Sequence, residues 1–268
     1  MQHAKSKDGT LIAYERTGSG PPLVIVFGAL NERSATDSLA PLLAERFTVF
    51  AFDRRGRGDS GDTLPYSAER EIEDIAAILD EAGSPAYLYG HSSGGVLALD
   101  AVERLGRFER LALYEPPFIV RRGDDSPPPD YLERIGRLIR SGRRDEAVEY
   151  FLHVAPGIPV EKLGKIKASP AWPRMVRMAD TLMRERDVLG ETLNGRPLPA
   201  DRWRHVTLPV LIMNGGASPD WFGVAADALG AILPNAARKT LAGENHNVEA
   251  RLLASELIAF FNRGAGRE

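Results

Sequence analysis

Five short runs along the chain are apolar on both of their alternating faces. They are LVIVFG at 23–28, TVFAFD at 48–53, AYLYG at 86–90, RLALYE at 110–115 and VLIMNG at 210–215. Runs of this length, closed by glycine or an acid, predict parallel strands covered by helices on two sides. Between the runs the period changes to that of a helix. Residues 67–82 place Ile72, Ile75, Ala76, Ile78 and Leu79 on one face behind Ser67 as N-cap. A second helix follows Ser92, with Val96, Leu97, Leu99 and Val102 inward. A last one, near 248–262, aligns Leu252, Leu253, Leu257, Ile258 and Phe261 after a short strand near Lys239 to Leu241. The alternation predicts an α/β fold with a mostly parallel sheet.

The alternation stops after Glu115. From 116 to 206 no strand pattern occurs; a linker, RRGDDSPPPD, leads into helical segments. Tyr131, Leu132, Ile135, Leu138 and Ile139 share one face, and a break follows at Ser141-Gly142. Ala147, Val148, Phe151 and Leu152 then share another, which predicts an αα-hairpin. A weaker helical pair is expected around 171–193. The predicted organisation is a core of residues 1–115 and 207–268, with a helical cap of residues 116–206 over the carboxyl edge of the sheet. That edge is where α/β folds bind ligands.

Composition narrows the chemistry. The 268 residues contain no cysteine, which excludes disulfides, thiolate catalysis and cysteine-ligated zinc. The net charge of −3 is spread along the chain, and the arginines between 134 and 144 alternate with acids, so no nucleic-acid partner is expected. The N-terminal stretch MQHAKSKDGT is polar, and the longest apolar run, PPLVIVFGAL, is too short to span a bilayer. A cytoplasmic protein without a membrane partner is the expectation. Gly56-Arg57-Gly58-Asp59-Ser60-Gly61 fits a dinucleotide fingerprint, but Asp62 to Pro65 separate it from the next helix, whose N-terminus would have to meet the phosphates. No nicotinamide, no other cofactor and no metal is expected.

The chemistry is carried by Gly90-His91-Ser92-Ser93-Gly94, a G-x-S-x-G set between a predicted strand and a predicted helix. A sharp turn there exposes the Ser92 hydroxyl and aims the helix N-terminus at developing negative charge. With this elbow, the strand VIVFG, the loop DRRGRGDS, the helical insertion, the MNGG strand and a late GENH, the chain resembles the α/β-hydrolase superfamily over nearly its whole length. Phe27-Gly28 departs from the His-Gly of many members. The resemblance implies a nucleophilic Ser92, an oxyanion hole from the amides of Ala29 and Ser93, and a histidine late in the chain. Of the five histidines, His246 follows the last strand and fits that place.

The third catalytic member is less direct. Many relatives carry an aspartate where this chain has Ser218. Ser218-Pro219-Asp220 reads as a helix start, with serine as cap, proline at the first position and Asp220 facing the dipole. Glu115 ends a buried strand beside the expected crevice, matching the position from which certain haloalkane dehalogenases supply their acid. Glu115 is therefore the expected acid and Asp220 the alternative; an ion pair of Glu115 with Arg121 is the competing structural explanation. Phe27, Leu30, Phe118, Trp172, Met175, Met178 and Trp221 are the expected lining of an apolar pocket for a small-molecule substrate. The expected activity is hydrolysis of an ester, lactone or related acyl compound. Cofactor-free lyase, C–C-bond hydrolase or oxygenase chemistry is one alternative; a non-catalytic receptor that keeps the triad is another.

Overall fold

Neighbouring residues within each apolar run face opposite ways, and both directions are used. The computed structural model describes residues 1–121 and 126–262. Its strands are β1 (Gln2–Lys5), β2 (Leu11–Thr17), β3 (Pro22–Val26), β4 (Thr48–Phe52), β5 (Ala86–His91), β6 (Phe108–Tyr114), β7 (Val210–Gly215) and β8 (Ala236–Leu241). They form one sheet in the order β1-β2-β4-β3-β5-β6-β7-β8. From β4 to β8 every pair is parallel, whereas β1 and β2 make antiparallel pairs.

Val24, Val26, Leu88, Leu111, Leu113, Val210 and Ile212 face one layer of helices: α2 (Ala68–Ala82), α3 (Ser93–Leu105) and α9 (Asp220–Ile232). Leu23, Ile25, Tyr87, Tyr89, Ala112, Tyr114, Leu211 and Met213 face α1 (Ala40–Leu43) and α10 (Ala250–Phe261) on the other side. Each fully buried Leu, Ile or Phe contributes roughly 1.5–3 kcal/mol, so the two layers supply most of the stability. Within α2 the inward alanine is Ala77, while Ala76 is only half-buried.

The β1–β2 hairpin is an element that periodicity does not announce. β1 is the edge strand, and Glu15 and Arg16 lie exposed past the part of β2 that pairs with it, so neither strand needs a continuous apolar run. β8 begins three residues before its expected start, because Ala236, Ala237 and Arg238 also lie at an exposed edge.

Between β6 and β7 lie α4 (Tyr131–Arg140), α5 (Arg144–Val154), α6 (Val160–Lys167), α7 (Trp172–Arg177) and α8 (Glu185–Leu189), with 3₁₀ stretches at Ala179–Arg184 and Gly190–Leu193. No strand occurs there among the described residues. Part of the linker RRGDDSPPPD lies outside the described residues. The inserted helices have their own core, in which Tyr131, Leu132, Ile135, Val148, Leu152 and Leu182 meet Leu30 from the loop after β3.

Candidate active site

Ser92 joins β5 to α3 with φ 55° and ψ −132°, a conformation that a side-chain-bearing residue holds only when its surroundings enforce it. The enforcement is steric. A Cβ on Gly94 would fall 2.2 Å from the Val26 carbonyl oxygen, and one on Gly90 would fall 2.6 Å from Gly95 Cα. A Cβ on Gly28 would fall 2.7 Å from Ser92 Cβ and 3.1 Å from its Oγ, so the loop after β3 lies directly against the serine. Leu30 in that loop also has a positive φ, 56°. Among the described residues no acceptor meets the amides of Ala29 and Ser93. Ser93 is the first residue of α3, where a helix leaves its N–H groups unpaired.

Glu115 follows β6 with φ 48° and is fully buried. One carboxylate oxygen, Oε1, accepts from the Gly215 amide at 2.7 Å; the other, Oε2, lies 2.7 Å from His246 Nδ1. As a carboxylate it only accepts, so the imidazole Nδ1 carries the proton and Nε2 is left with its lone pair. Arg121, the alternative partner, is exposed. Asp220 is exposed at the start of α9, and Pro219 takes the cap position one residue later than the serine cap expected at Ser218. Proline has no side-chain oxygen to cap with, and Ser218 Oγ is buried without a partner among the described residues.

The loop carrying His246 is anchored on both sides. Tyr114 donates its hydroxyl to the Asn245 carbonyl at 2.7 Å, and a Cβ on Gly215 would fall 2.3 Å from the Glu244 carbonyl. The imidazole stacks on Phe222 with centroids 5.1 Å apart and meets the edge of His91 at 5.0 Å. His91 is itself held by Tyr89, whose hydroxyl is 3.1 Å from Nδ1. Burial, and to a lesser extent the neighbouring His246, hold its pKa well below the usual histidine value. The remaining histidines are elsewhere: His3 in β1, His153 bound to the Ile158 carbonyl, and His205 paired with Glu103.

Ser92, Ser93, Ala29 and His246 share the wall of one cavity of about 440 Å³. Of the expected lining residues, Phe27, Leu30, Met175 and Trp221 are on it. Phe118, Trp172 and Met178 are not. Phe118 is fully buried against Trp203, Met178 is packed inside the inserted helices, and Trp172 lies beneath the Lys167 ammonium. The inserted helices instead contribute Tyr131, Phe151, Leu152, Ile166, Glu185 and Leu189, and α9 contributes Phe222. Phe151 and Leu152 were legible as one helix face, but not which side of that helix turns to the cavity.

The Gly56–Gly61 loop lies against charged side chains: a Cβ on Gly56 would fall 2.7 Å from Arg184 Nη1, and one on Gly58 would fall 2.2 Å from Asp53 Oδ2. Arg54 forks onto Glu71 at 2.5 and 2.7 Å, and Arg55 holds Asp74 with two contacts of 2.7 Å. Among the described residues there is no group of three or more histidines and acids placed to hold a metal, and no helix long and apolar enough to cross a membrane.

The family model described as the alpha/beta hydrolase family matches residues 27–255. An alpha/beta hydrolase structure from Sphaerobacter thermophilus superposes with a TM-score of 0.88 at 44% identity, covering 97% of this chain and 100% of that one. Curated relatives match in part. A pimeloyl-[acyl-carrier protein] methyl ester esterase of Stenotrophomonas maltophilia is 35% identical over 133 residues, 47% of this chain and 49% of that protein. The probable oxidoreductase EphD of Mycobacterium bovis is 34% identical over 116 residues, 41% of this chain and 20% of that protein. The chain thus spans half or less of the curated relatives it matches.

Proposed function

Because the chain belongs to the alpha/beta hydrolase family, we propose that it hydrolyses an ester, lactone or related acyl substrate through an acyl-enzyme on Ser92, with residues 116–206 acting as a cap. The observation that carries the reading is the 2.7 Å contact of buried Glu115 with His246 Nδ1, which leaves Nε2 free to act as a base in the cavity that also holds Ser92. Ser92 Oγ attacks the carbonyl while His246 Nε2 takes its proton. Charge developing on the carbonyl oxygen is met by the Ala29 amide of the loop after β3 and by the Ser93 amide at the head of α3. Collapse of the tetrahedral species expels the alcohol, protonated by His246, and water then releases the acyl group by the same route. Glu115 holds the imidazole tautomer and stabilises the imidazolium. The methyl ester esterase among the relatives supports an ester as the substrate class. An apolar acyl chain fits the cavity wall of Leu30, Phe151, Leu152 and Ile166.

A fluorophosphonate should label the wild type once per chain, and Ser92→Ala should abolish both the label and the turnover of p-nitrophenyl esters, thioesters and lactones. Turnover that survives Ser92→Ala would sink the acyl-enzyme mechanism. Labelling without turnover of any of these would favour the receptor.

A further inference from the structure

Three successive carbonyl groups in the loop after β3 are each held by a side chain. Arg54 Nη1 donates to the Phe27 oxygen at 3.4 Å, Arg57 Nη1 to the Gly28 oxygen at 2.6 Å, and Asn31 Nδ2 to the Ala29 oxygen at 2.9 Å. The middle contact is the shortest, and it acts on a particular peptide. The carbonyl of Gly28 and the N–H of Ala29 are opposite ends of one planar trans unit and point in opposite directions. Fixing the carbonyl therefore fixes the direction of the amide. A guanidinium on the oxygen also polarises the unit, which strengthens its N–H as a donor.

Arg57 is only 2% exposed and depends on partners for its charge. Burial, reinforced by the neighbouring Arg54, brings its pKa down to about 10. Its other terminal nitrogen, Nη2, donates to Glu185 Oε1 at 2.8 Å, and Glu185 is the first residue of α8, in the inserted helices. Glu185 is as deeply buried as Arg57 and lines the same cavity as Ser92. Arg54, by contrast, is already neutralised by its fork onto Glu71 and lies 3.4 Å from Glu185. The chain of contacts runs from an inserted helix, through one guanidinium, to the carbonyl of the peptide whose N–H belongs to Ala29, next to the Gly28 that lies against Ser92.

We propose that Arg57 is a positioning residue that sets the direction of the Ala29 amide in the oxyanion hole, and that Glu185 couples this setting to the seating of the inserted helices. The inference rests on the Ser92 acyl-enzyme reading. It gives the helical insertion a part in transition-state stabilisation as well as in enclosing substrate.

The test uses Arg57→Met, Arg57→Lys and Glu185→Gln, with kcat expressed per site titrated by fluorophosphonate so that misfolded protein does not count. Arg57→Met should lower kcat about tenfold to a hundredfold with KM changed less than about threefold, since the lost interaction belongs to the transition state. Binding of a trifluoromethyl ketone, which forms a tetrahedral adduct on the serine, should weaken by the same factor as kcat. Arg57→Lys should recover part of the loss, and Glu185→Gln should lower kcat by less than Arg57→Met. A kcat per titrated site within twofold of wild type in Arg57→Lys and Glu185→Gln, with only the melting temperature reduced, would overturn the proposal even if Arg57→Met does not fold. Turnover kept by Ser92→Ala would overturn the acyl-enzyme reading and this proposal together. Turnover lost in Ser92→Ala but kept by Arg57→Met overturns this proposal alone.

Discussion

The floor and the roof of the cavity are built on opposite principles. The floor is the carboxyl edge of the sheet, where Leu30, Ser92 and Glu115 all adopt positive φ without being glycine. Each departs from the preferred backbone regions at a cost of about 1–3 kcal/mol, and two of the three are locked by neighbours: glycines 28, 90 and 94 around Ser92, and the Gly215 amide on Glu115. The roof, from α4 to α8, consists of short helices that, apart from the Glu185 carboxylate held by Arg57, contribute apolar volume from Phe151, Leu152, Ile166 and Leu189. Chemistry demands atoms at fixed directions, and only an over-determined backbone supplies them. Selection of a substrate by size demands a wall, and many side chains supply one.

The largest break in this comparison is expected at Glu115. Its two oxygens serve two donors, Gly215 N–H and His246 Nδ1–H. A glutamine has one carbonyl oxygen for both. If that oxygen stays on the Gly215 amide, the side-chain NH₂ faces Nδ1 and forces the imidazole proton onto Nε2, which removes the base. Glu115→Gln should therefore lower kcat about a hundredfold to ten-thousandfold with little change in KM, while fluorophosphonate labelling slows in parallel. Asp220→Asn, exposed at the first turn of α9, should leave kcat within about twofold and cost at most about 1 kcal/mol of stability. Steady-state kinetics of the two variants side by side decide the matter; equal losses would mean that the carboxylate after β6 is structural.

This division also explains what could be read from the chain. The sheet, its parallel core and the helices α2, α3 and α10 follow from continuous apolar runs and a 3.6 period, because burial on two faces leaves no room for polar residues. The strained turn at Ser92 is legible for a related reason: a conformation that excludes Cβ at its neighbours writes glycine at Gly90 and Gly94. Glu115 is legible as a charge where burial disfavours charge. The arginine pairs of the loop after β4 were hidden. Glu71 and Asp74 lie on the buried face of α2, and in sequence they resemble ordinary solvated acids. Their partners Arg54 and Arg55 come from a different element, so no spacing rule links them. The roof was least legible, since Phe151 and Trp172 are equally apolar while only Phe151 reaches the cavity.

A middle-sized effect should sharpen the roof's share. Phe151 lines the cavity from α5. Phe151→Ala opens space without touching the floor. The ratio of kcat/KM for a hexanoyl over an acetyl p-nitrophenyl ester should rise about tenfold, while kcat for the acetyl ester changes little. A uniform fall in kcat for all chain lengths would mean that the roof is not a separable size filter and that the comparison is wrong.

The smallest effect is expected on stability, close to zero at neutral pH, and it belongs to the floor. His91 packs between Phe27 and Tyr114 and against His246, and its ring is held neutral by burial and, secondarily, by His246. In the unfolded chain the same ring titrates near its ordinary value of 6.5. Below that pH the unfolded state binds a proton that the folded state refuses, so the folded state loses stability as pH falls. The loss is at most about 1.4 kcal/mol for each pH unit below the ordinary value, until the folded ring titrates. His91→Gln removes this term. Urea unfolding of wild type and variant from pH 7.5 to 4.5 should give parallel free energies above pH 7 and a gap that widens in the variant's favour as pH drops. A constant gap across the range would mean that His91 is protonated within the fold, and a floor that admits that charge is not the closed, over-determined surface described above.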